Sequence, residues 1–246
     1  FSKHPTVAEL TDSFNTMASE LEKTEMLRSD FVNDFSHEFK TPIVSIAGFA
    51  RLLKNETLDR EQRREYLNII EEESLRLSDM ATNVLNLAKV ENQQILSNVS
   101  AFNLSEQVRN CFLQLEDKWS GKNLDADFDF GEVQICGNEE LLRQVWLNLL
   151  DNAVKFTPYG GEVRIKIEER EDSVCVSVIN TGSTVAPENR ERIFRKFFQE
   201  DRSHSTKGNG IGLAVVRQIV NLHGGSVWVE SEQDCTTFKV LLPKTA

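Results

Sequence analysis

Cysteine is scarce and unorganised in this chain of 246 residues: Cys111, Cys136, Cys175 and Cys235 form no CxxC pair and have no histidine at metal-ligand spacing. They read as free thiols in a reducing compartment, and a cysteine-built zinc site is excluded. No apolar run reaches the length of about 18 residues that a membrane helix needs. The chain opens on Phe1 instead of methionine, so an excised cytosolic fragment is expected. Basic runs are also missing, and the net charge is -11. Nucleic acid and anionic membrane surfaces would be repelled by such a chain. There are no internal repeats and no low-complexity segments. What remains is material for one large domain or two modest ones, and the pattern argues for two.

Residues 10–53 read as helix, with Leu10, Phe14, Met17 and Leu21 spaced four, three and four apart, as in a coiled-coil seam. Thr24 and Arg28 then occupy core positions, while Leu27, Phe31 and Phe35 restart the pattern in a shifted register, as a stutter does. Phe35, Phe39, Ile46, Phe49 and Leu53 continue the apolar face, and Pro42 inside the helix is expected to bend it. His37 lies about 200° around the helix from Phe35 and Phe39, at roughly 100° per residue, and therefore points to solvent. A polar stretch at 54–59 precedes a second helix over 60–91, with Tyr66, Ile70, Leu77, Met80, Val84 and Leu87 inward and Glu73 interrupting the seam. The two helices form a hairpin whose apolar stripe is too long to bury within itself. A dimeric four-helix bundle is the natural solution, with a monomeric hairpin packed on the rest of the chain as the alternative.

Beyond Asn92 the pattern changes. Helices are expected over 104–119, 138–156, 187–197 and 211–222, and strands over 124–130, 162–167, 174–179, 227–230 and 237–242. The pair at 162–167 and 174–179 alternates as an antiparallel hairpin with Glu171 and Asp172 in its turn. This mixture predicts an α+β two-layer sandwich, distinct from the all-α front half.

Three elements in the second half suit a nucleotide. Gly208-Asn209-Gly210-Ile211-Gly212-Leu213 opens a helix, where glycines admit phosphate to unpaired N–H groups and a positive dipole end. A flexible loop or a Rossmann turn are the alternatives, but the Rossmann fingerprint follows a strand and this one follows a polar loop over 199–207. Asn148, Asn152 and Lys155 share one helical face, and amide oxygens are hard ligands suited to a Mg²⁺ that bridges ATP phosphates. Taken alone, that face could equally point to water. Asn180-Thr181-Gly182-Ser183-Thr184 ends a strand, either as a plain turn or as the base-recognition corner of the pocket. Other polar residues have plainer readings. His223, at a helix end before two glycines, reads as a cationic cap on carbonyls; Asp127 and Asp129 alternate along a strand as its wet face.

Together these residues resemble the catalytic core of sensor histidine kinases of two-component systems, over nearly the whole chain. His37-Glu38-Phe39-Lys40-Thr41-Pro42 resembles the phosphoacceptor box of the HisKA-type dimerisation domain. The run 148–156 resembles the asparagine box, Phe194-Arg195-Lys196-Phe197 the phenylalanine box, and 208–213 the second glycine box of the Bergerat ATP-binding fold. The segment 10–21 resembles the last helix of a HAMP relay module. The implied organisation is 1–25 as the end of a signalling helix, 26–94 as the dimerisation and phosphotransfer hairpin, and 95–246 as the ATP-binding domain. The gyrase and Hsp90 ATPases share the pocket but not the hairpin carrying His37.

The resemblance implies ATP and Mg²⁺ as cofactors, and a homodimer, a response-regulator receiver domain and a plasma membrane reached through further segments as partners. His37 would accept the phosphoryl group, Glu38 would act as general base and Thr41 would position water for the reverse hydrolysis. Asn148 and Asn152 would hold Mg²⁺ and Lys155 would meet the phosphates. Phe156, Asn180, Gly182, Thr184, Phe197, Gly208, Gly210, Ile211, Gly212 and Leu213 would line the nucleotide, with the loop over 199–207 as lid. Asn180 stands where the family usually has aspartate, Thr184 where it usually has glycine, and Gln199 where it often has arginine. The first change alone replaces a charge-assisted hydrogen bond by a neutral one, on the order of 1 kcal/mol. An active kinase with weakened ATP affinity is expected, and a phosphatase-biased scaffold that no longer turns over ATP is the alternative.

Overall fold

The structure is a computed structural model describing residues 5–55, 58–93, 95–199 and 210–245; in the first helix the side chains at 5–8, 20, 23–25, 27–28, 30–31 and 34 are not described. The expected stutter at Thr24, Leu27, Arg28 and Phe31 thus falls on side chains outside the described set, as do His4, His204, Gly208 and nearly all of the expected lid. Two compact units emerge, Phe1–Ser78 and Asp79–Ala246.

The first unit holds helix α1 (Pro5–Leu52), which begins five residues before the 10–53 expected from periodicity, and most of α2 (Arg60–Glu91), whose bounds match the expected 60–91. Asp59 starts α2 through a reciprocal capping box: its Oδ1 accepts the Gln62 N–H at 2.7 Å, while Gln62 Oε1 accepts the Asp59 N–H at 3.3 Å. Such a cap contributes about 1 kcal/mol. The rings of Phe35 and Phe39 meet at 4.2 Å between centroids, tilted by 38°, and Phe49 meets Tyr66 across the hairpin at 5.2 Å. The apolar stripe is not consumed inside the chain. Leu10, Phe14, Met17 and Leu21 are 72, 67, 68 and 65% exposed, and Ile43, Val44, Leu67 and Leu75 are exposed as well.

In the second unit a two-stranded ribbon, β1 (Ser100–Asn103) with β3 (Gln134–Gly137), accompanies a five-stranded sheet. The sheet runs in the order β2 (Asp125–Asp129), β4 (Glu162–Glu169), β5 (Ser173–Thr181), β7 (Cys235–Pro243), β6 (Ser226–Glu232). β2 is parallel to β4, and every other pairing is antiparallel. Val163, Ile165, Val174, Val176, Val178, Val240 and Leu242 are buried. Helices α5 (Glu139–Phe156) and α6 (Gly212–Leu222) complete this core with Leu142, Trp146, Leu149, Leu150, Val216 and Ile219. The result is the expected α+β sandwich. Asp127 pairs with Arg164 at 2.8 Å and Asp129 with Lys166 at 3.2 Å, which makes these carboxylates the wet face of β2. All four cysteines are free thiols, and burial pushes the Cys111 thiol up to about 11.

Tertiary contacts redrew three segments. The helix expected over 104–119 is split into α3 (Leu104–Leu113) and α4 (Glu116–Ser120). The break lets Trp119 fold back on Phe112, rings 5.4 Å apart, and its indole N–H donates at 3.3 Å to the Phe112 carbonyl, which also accepts the Leu115 N–H at 3.0 Å. The segment 187–197 forms two 3₁₀ turns, Pro187–Asn189 and Arg192–Phe194, because Ile193 and Phe194 must both be buried within a few residues. β1 and β3, four residues each, carry too little periodic signal to be read in advance.

His223 departs from the cationic cap expected of it. Its Nδ1 lies 2.8 Å from the Ile219 carbonyl and must donate there, while its Nε2 accepts the Asn138 N–H at 3.1 Å. One ring nitrogen therefore has no proton and the imidazole is neutral. Burial holds its pKa below the ordinary 6.5, against the opposing pull of the Ile219 carbonyl. A Cβ on Gly137 would stand 3.2 Å from the same ring, so glycine there is part of the fit. With the folded value depressed, the unfolded chain binds more protons. The contribution is full above the ordinary 6.5 and is lost as pH falls through the folded value. Denaturant melts taken between about pH 7.5 and pH 5.5 should lose stability on acidification, and His223→Gln should flatten that dependence.

Candidate functional site

On α1, His37 is exposed, and the side chains on either side of it in the helix, Phe35 and Phe39, are half-buried. Thr41 follows one turn later, its hydroxyl donating to the His37 carbonyl at 3.2 Å, and Pro42 behind it is buried. Glu38 reaches across to α2, where its Oε2 lies 3.5 Å from an Arg76 nitrogen. Arg76 also stands 3.9 Å from Glu73. The charge that interrupts the α2 seam is thereby explained, since Glu73 belongs to a Glu38–Arg76–Glu73 cluster between the helices. Arg76 went unread in the sequence, and its only signal was a position three residues beyond Glu73. Among the described residues, Glu73 Oε2 and Arg76 Nε are buried without a hydrogen-bond partner.

In the second unit, Asn138 caps α5 by accepting the Leu141 N–H at 3.0 Å. Three turns on, Asn148 donates from Nδ2 to the Gln144 carbonyl at 2.8 Å, which leaves its Oδ1 directed at the start of α6. A Cβ on Gly212 would stand only 2.6 Å from that oxygen, so Gly212 and Asn148 are in direct apposition. Asn152 and Lys155 are half-buried further along α5. The Lys155 ammonium sits 4.7 Å over the ring of Phe156, itself 41% exposed.

Asn180 ends the buried face of β5 between Val163 and Thr236 of the neighbouring strands and is 2% exposed. Its Nδ2 donates to the Ser183 hydroxyl at 2.8 Å. Thr236 Oγ1 donates to the Ser183 carbonyl at 2.8 Å, and Ser231 Oγ accepts the Val185 N–H at 2.9 Å. These two hydroxyls of the β6–β7 hairpin fix the corner, and sequence spacing gave no hint of them. Gly182 has φ +79°, and a Cβ there would collide with the Pro158 ring that follows α5. Thr184 is exposed. Phe197 (φ 59°) and Gly210 (φ 65°) are both left-handed and joined by the Phe197 N–H to the Gly210 carbonyl at 2.9 Å. A Cβ on Gly210 would fall 2.7 Å from the Phe197 carbonyl carbon, so the two ends of the undescribed segment meet in a clamp that demands glycine. Ile211, the N-cap of α6, is buried and Leu213 is half-buried, and among the described residues no side-chain cap hydrogen bond is made at that N-cap.

Asn148 and Gly212, from distant parts of the sequence, are therefore close in space, and the Asn180 corner packs on the turn that ends α5. The donor set suits a magnesium nucleotide. Asn148 offers a neutral, hard oxygen oriented by its own amide hydrogen bond, and the first turn of α6 beside it offers backbone N–H groups and a positive dipole end.

Comparison with known proteins agrees. The family described as histidine kinase-, DNA gyrase B- and HSP90-like ATPase matches residues 137–246, and the His Kinase A (phospho-acceptor) domain matches residues 27–93. The chain is 32% identical to the sensor histidine kinase CusS of Escherichia coli O6:H1 over 96% of its own length and 49% of that protein. It is 30% identical to the heme sensor protein HssS of Staphylococcus aureus strain Newman over 95% of its own length and 50% of the relative. It thus spans about half the length of the curated relatives it matches. Among solved structures, the catalytic domain of histidine kinase ThkA is 32% identical, with a TM-score of 0.56, covering 60% of this chain and 97% of that one. ThkA in complex with the response regulator TrrA gives 29% identity and a TM-score of 0.77 over 95% of this chain and 66% of that one.

Proposed function

This chain belongs to the sensor histidine kinase family, and on that premise we propose that it is the catalytic core of a protein-histidine kinase that phosphorylates His37 from ATP and passes the group to an aspartate of a response-regulator receiver domain. The observation that carries this reading is the pairing, in one chain, of an exposed histidine flanked by Glu38 and Thr41 with an asparagine-faced helix set against a glycine-headed one. We assign 1–25 to the end of a HAMP-like helix, 26–94 to the dimerisation and phosphotransfer hairpin and 95–246 to the ATP-binding domain. The exposed apolar residues of α1 and α2 support a homodimer. No described helix is long and apolar enough to cross a membrane. The proposed place of this part is the cytoplasmic side of a membrane sensor whose other segments make the anchor, and its acidity disfavours nucleic acid.

In the proposed reaction an imidazole nitrogen of His37 attacks the γ-phosphorus, the bond from that phosphorus to the bridging oxygen breaks, and ADP leaves. Glu38 takes the proton from the ring, and Arg76 sets the direction of that carboxylate. Lys155 offsets phosphate charge, Phe156 walls the base, and Asn180 presents an amide to it. Asn148 and Asn152 would hold Mg²⁺, which supplies charge neutralisation on the phosphates when bound. The bond between nitrogen and phosphorus then breaks as a partner aspartate takes the phosphoryl group, and Thr41 positions water for the reverse hydrolysis. Incubation with γ-labelled ATP and Mg²⁺ should label the chain and then a supplied receiver domain. An unlabelled chain that still hydrolyses a phosphorylated receiver would favour the scaffold reading instead.

A further inference from the structure

We infer that Lys122, in the loop before β2, is a positioning residue for the nucleotide pocket, an inference that rests on the ATP site proposed above. Its ammonium donates to the carbonyls of Val154, Lys155 and Thr157 at 2.9, 2.7 and 2.9 Å. An ammonium has three N–H donors, and all three are used. The acceptors include carbonyls that the end of α5 cannot satisfy within the helix, where a cation also meets the negative end of the dipole. The last turn of α5 carries Lys155 and Phe156, with Asn152 just before it, so the clamp holds the end of the helix whose residues would face phosphate and base.

The same loop holds a second wall. The Lys122 carbonyl accepts the Gly160 N–H at 2.9 Å, and the Asp125 N–H donates to the Gly161 carbonyl at 2.9 Å, tying the 157–161 turn to this loop. That turn carries Pro158, against which Gly182 is packed, and the Thr181 hydroxyl accepts the Glu162 N–H at 3.0 Å beside it. Lys122 thus fixes the spacing between the end of α5 and the Asn180–Gly182 corner without facing the nucleotide itself. Nearby Lys118 is a different case: it pairs with the Asp151 carboxylate at 2.6 Å on the exposed side of α5.

The test compares Lys122→Met, Lys122→Arg and Lys118→Met in the full chain, by calorimetric titration with Mg-ATP, labelling kinetics and melting. Lys122→Met should weaken ATP binding and raise KM about tenfold while kcat changes by less than about twofold, since the clamp sets the pocket and not the chemistry. Lys122→Arg, which keeps the cation but spreads its donors over a planar fork, should fall between, and it supplies the same ratio should the methionine variant not fold. Lys118→Met should bind ATP as the wild type does. A lower melting temperature with unchanged KM in the Lys122 variants would mean a purely structural lysine and overturn the inference alone. A wild-type chain that binds no ATP would overturn the functional reading and this inference together.

Discussion

His37→Gln should abolish covalent phosphorylation while leaving ATP affinity and melting unchanged. Glutamine offers no nucleophilic ring nitrogen, so the loss should exceed about a thousandfold and be limited only by detection. The fold should not notice, because His37 points to solvent and its half-buried neighbours Phe35 and Phe39 are untouched; exposed substitutions of this kind stay within about 0.5 kcal/mol. Glu38→Gln should differ in degree, slowing labelling by about a hundredfold, the scale of a lost general base. The readout is acid-labile label on the chain after incubation with γ-labelled ATP, beside calorimetric ATP titration of the same variants. Full labelling of His37→Gln would put the acceptor on another residue and remove the premise of the mechanism.

The second large effect should come from Gly212→Ala, and its sign should split between stability and binding. Alanine is a better helix former than glycine by up to about 1 kcal/mol, so the head of α6 gains and the melting temperature should hold or rise. The new Cβ, however, would stand 2.6 Å from Asn148 Oδ1, and the amide must swing away because its tip is the flexible partner. Swinging breaks the hydrogen bond to the Gln144 carbonyl at 2.8 Å and takes the oxygen out of the direction that suits Mg²⁺. We expect Mg-ATP binding weaker by about 2 kcal/mol, roughly thirtyfold, measured by calorimetric titration with and without Mg²⁺. Gly210→Ala makes the contrast, since its Cβ meets the Phe197 backbone at a φ of 65° and should lower the melting temperature as well. An alanine at 212 that left Mg-ATP affinity intact would separate Asn148 from the metal.

How much could be read in advance depended on whether the controlling physics was local. α2 and α5 were legible with nearly their true ends because periodicity, caps and turn residues all lie within one turn of each boundary; Asp59 and Gln62 do it for α2, Asn138 for α5. The exposure of His37 followed from its angular distance to Phe35 and Phe39. His223 was misread as a cation, since position at a helix end favours charge and only burial beside Ile219 and Asn138 decides against it. The segment 104–119 looked like one helix because nothing local stops it, and the stop comes from the stacking of Trp119 on Phe112.

By itself the sequence determined the helical hairpin, the α+β character of the rest, the solvent-facing histidine and the chemical types at the nucleotide site, since all of these are carried by spacing and side-chain identity. Only the tertiary structure decided which of them meet. It set Gly212 against Asn148, locked Phe197 to Gly210, tied Asn180 to Ser183 under the hydroxyls of Ser231 and Thr236, opposed Arg76 to Glu38 and gave Lys122 three carbonyls to hold. Apart from the local Asn180–Ser183 bond, each of these depends on chain segments separated in sequence coming within hydrogen-bond or van der Waals reach. Local propensity contains no record of such an approach, because it is fixed by the packing of the whole core.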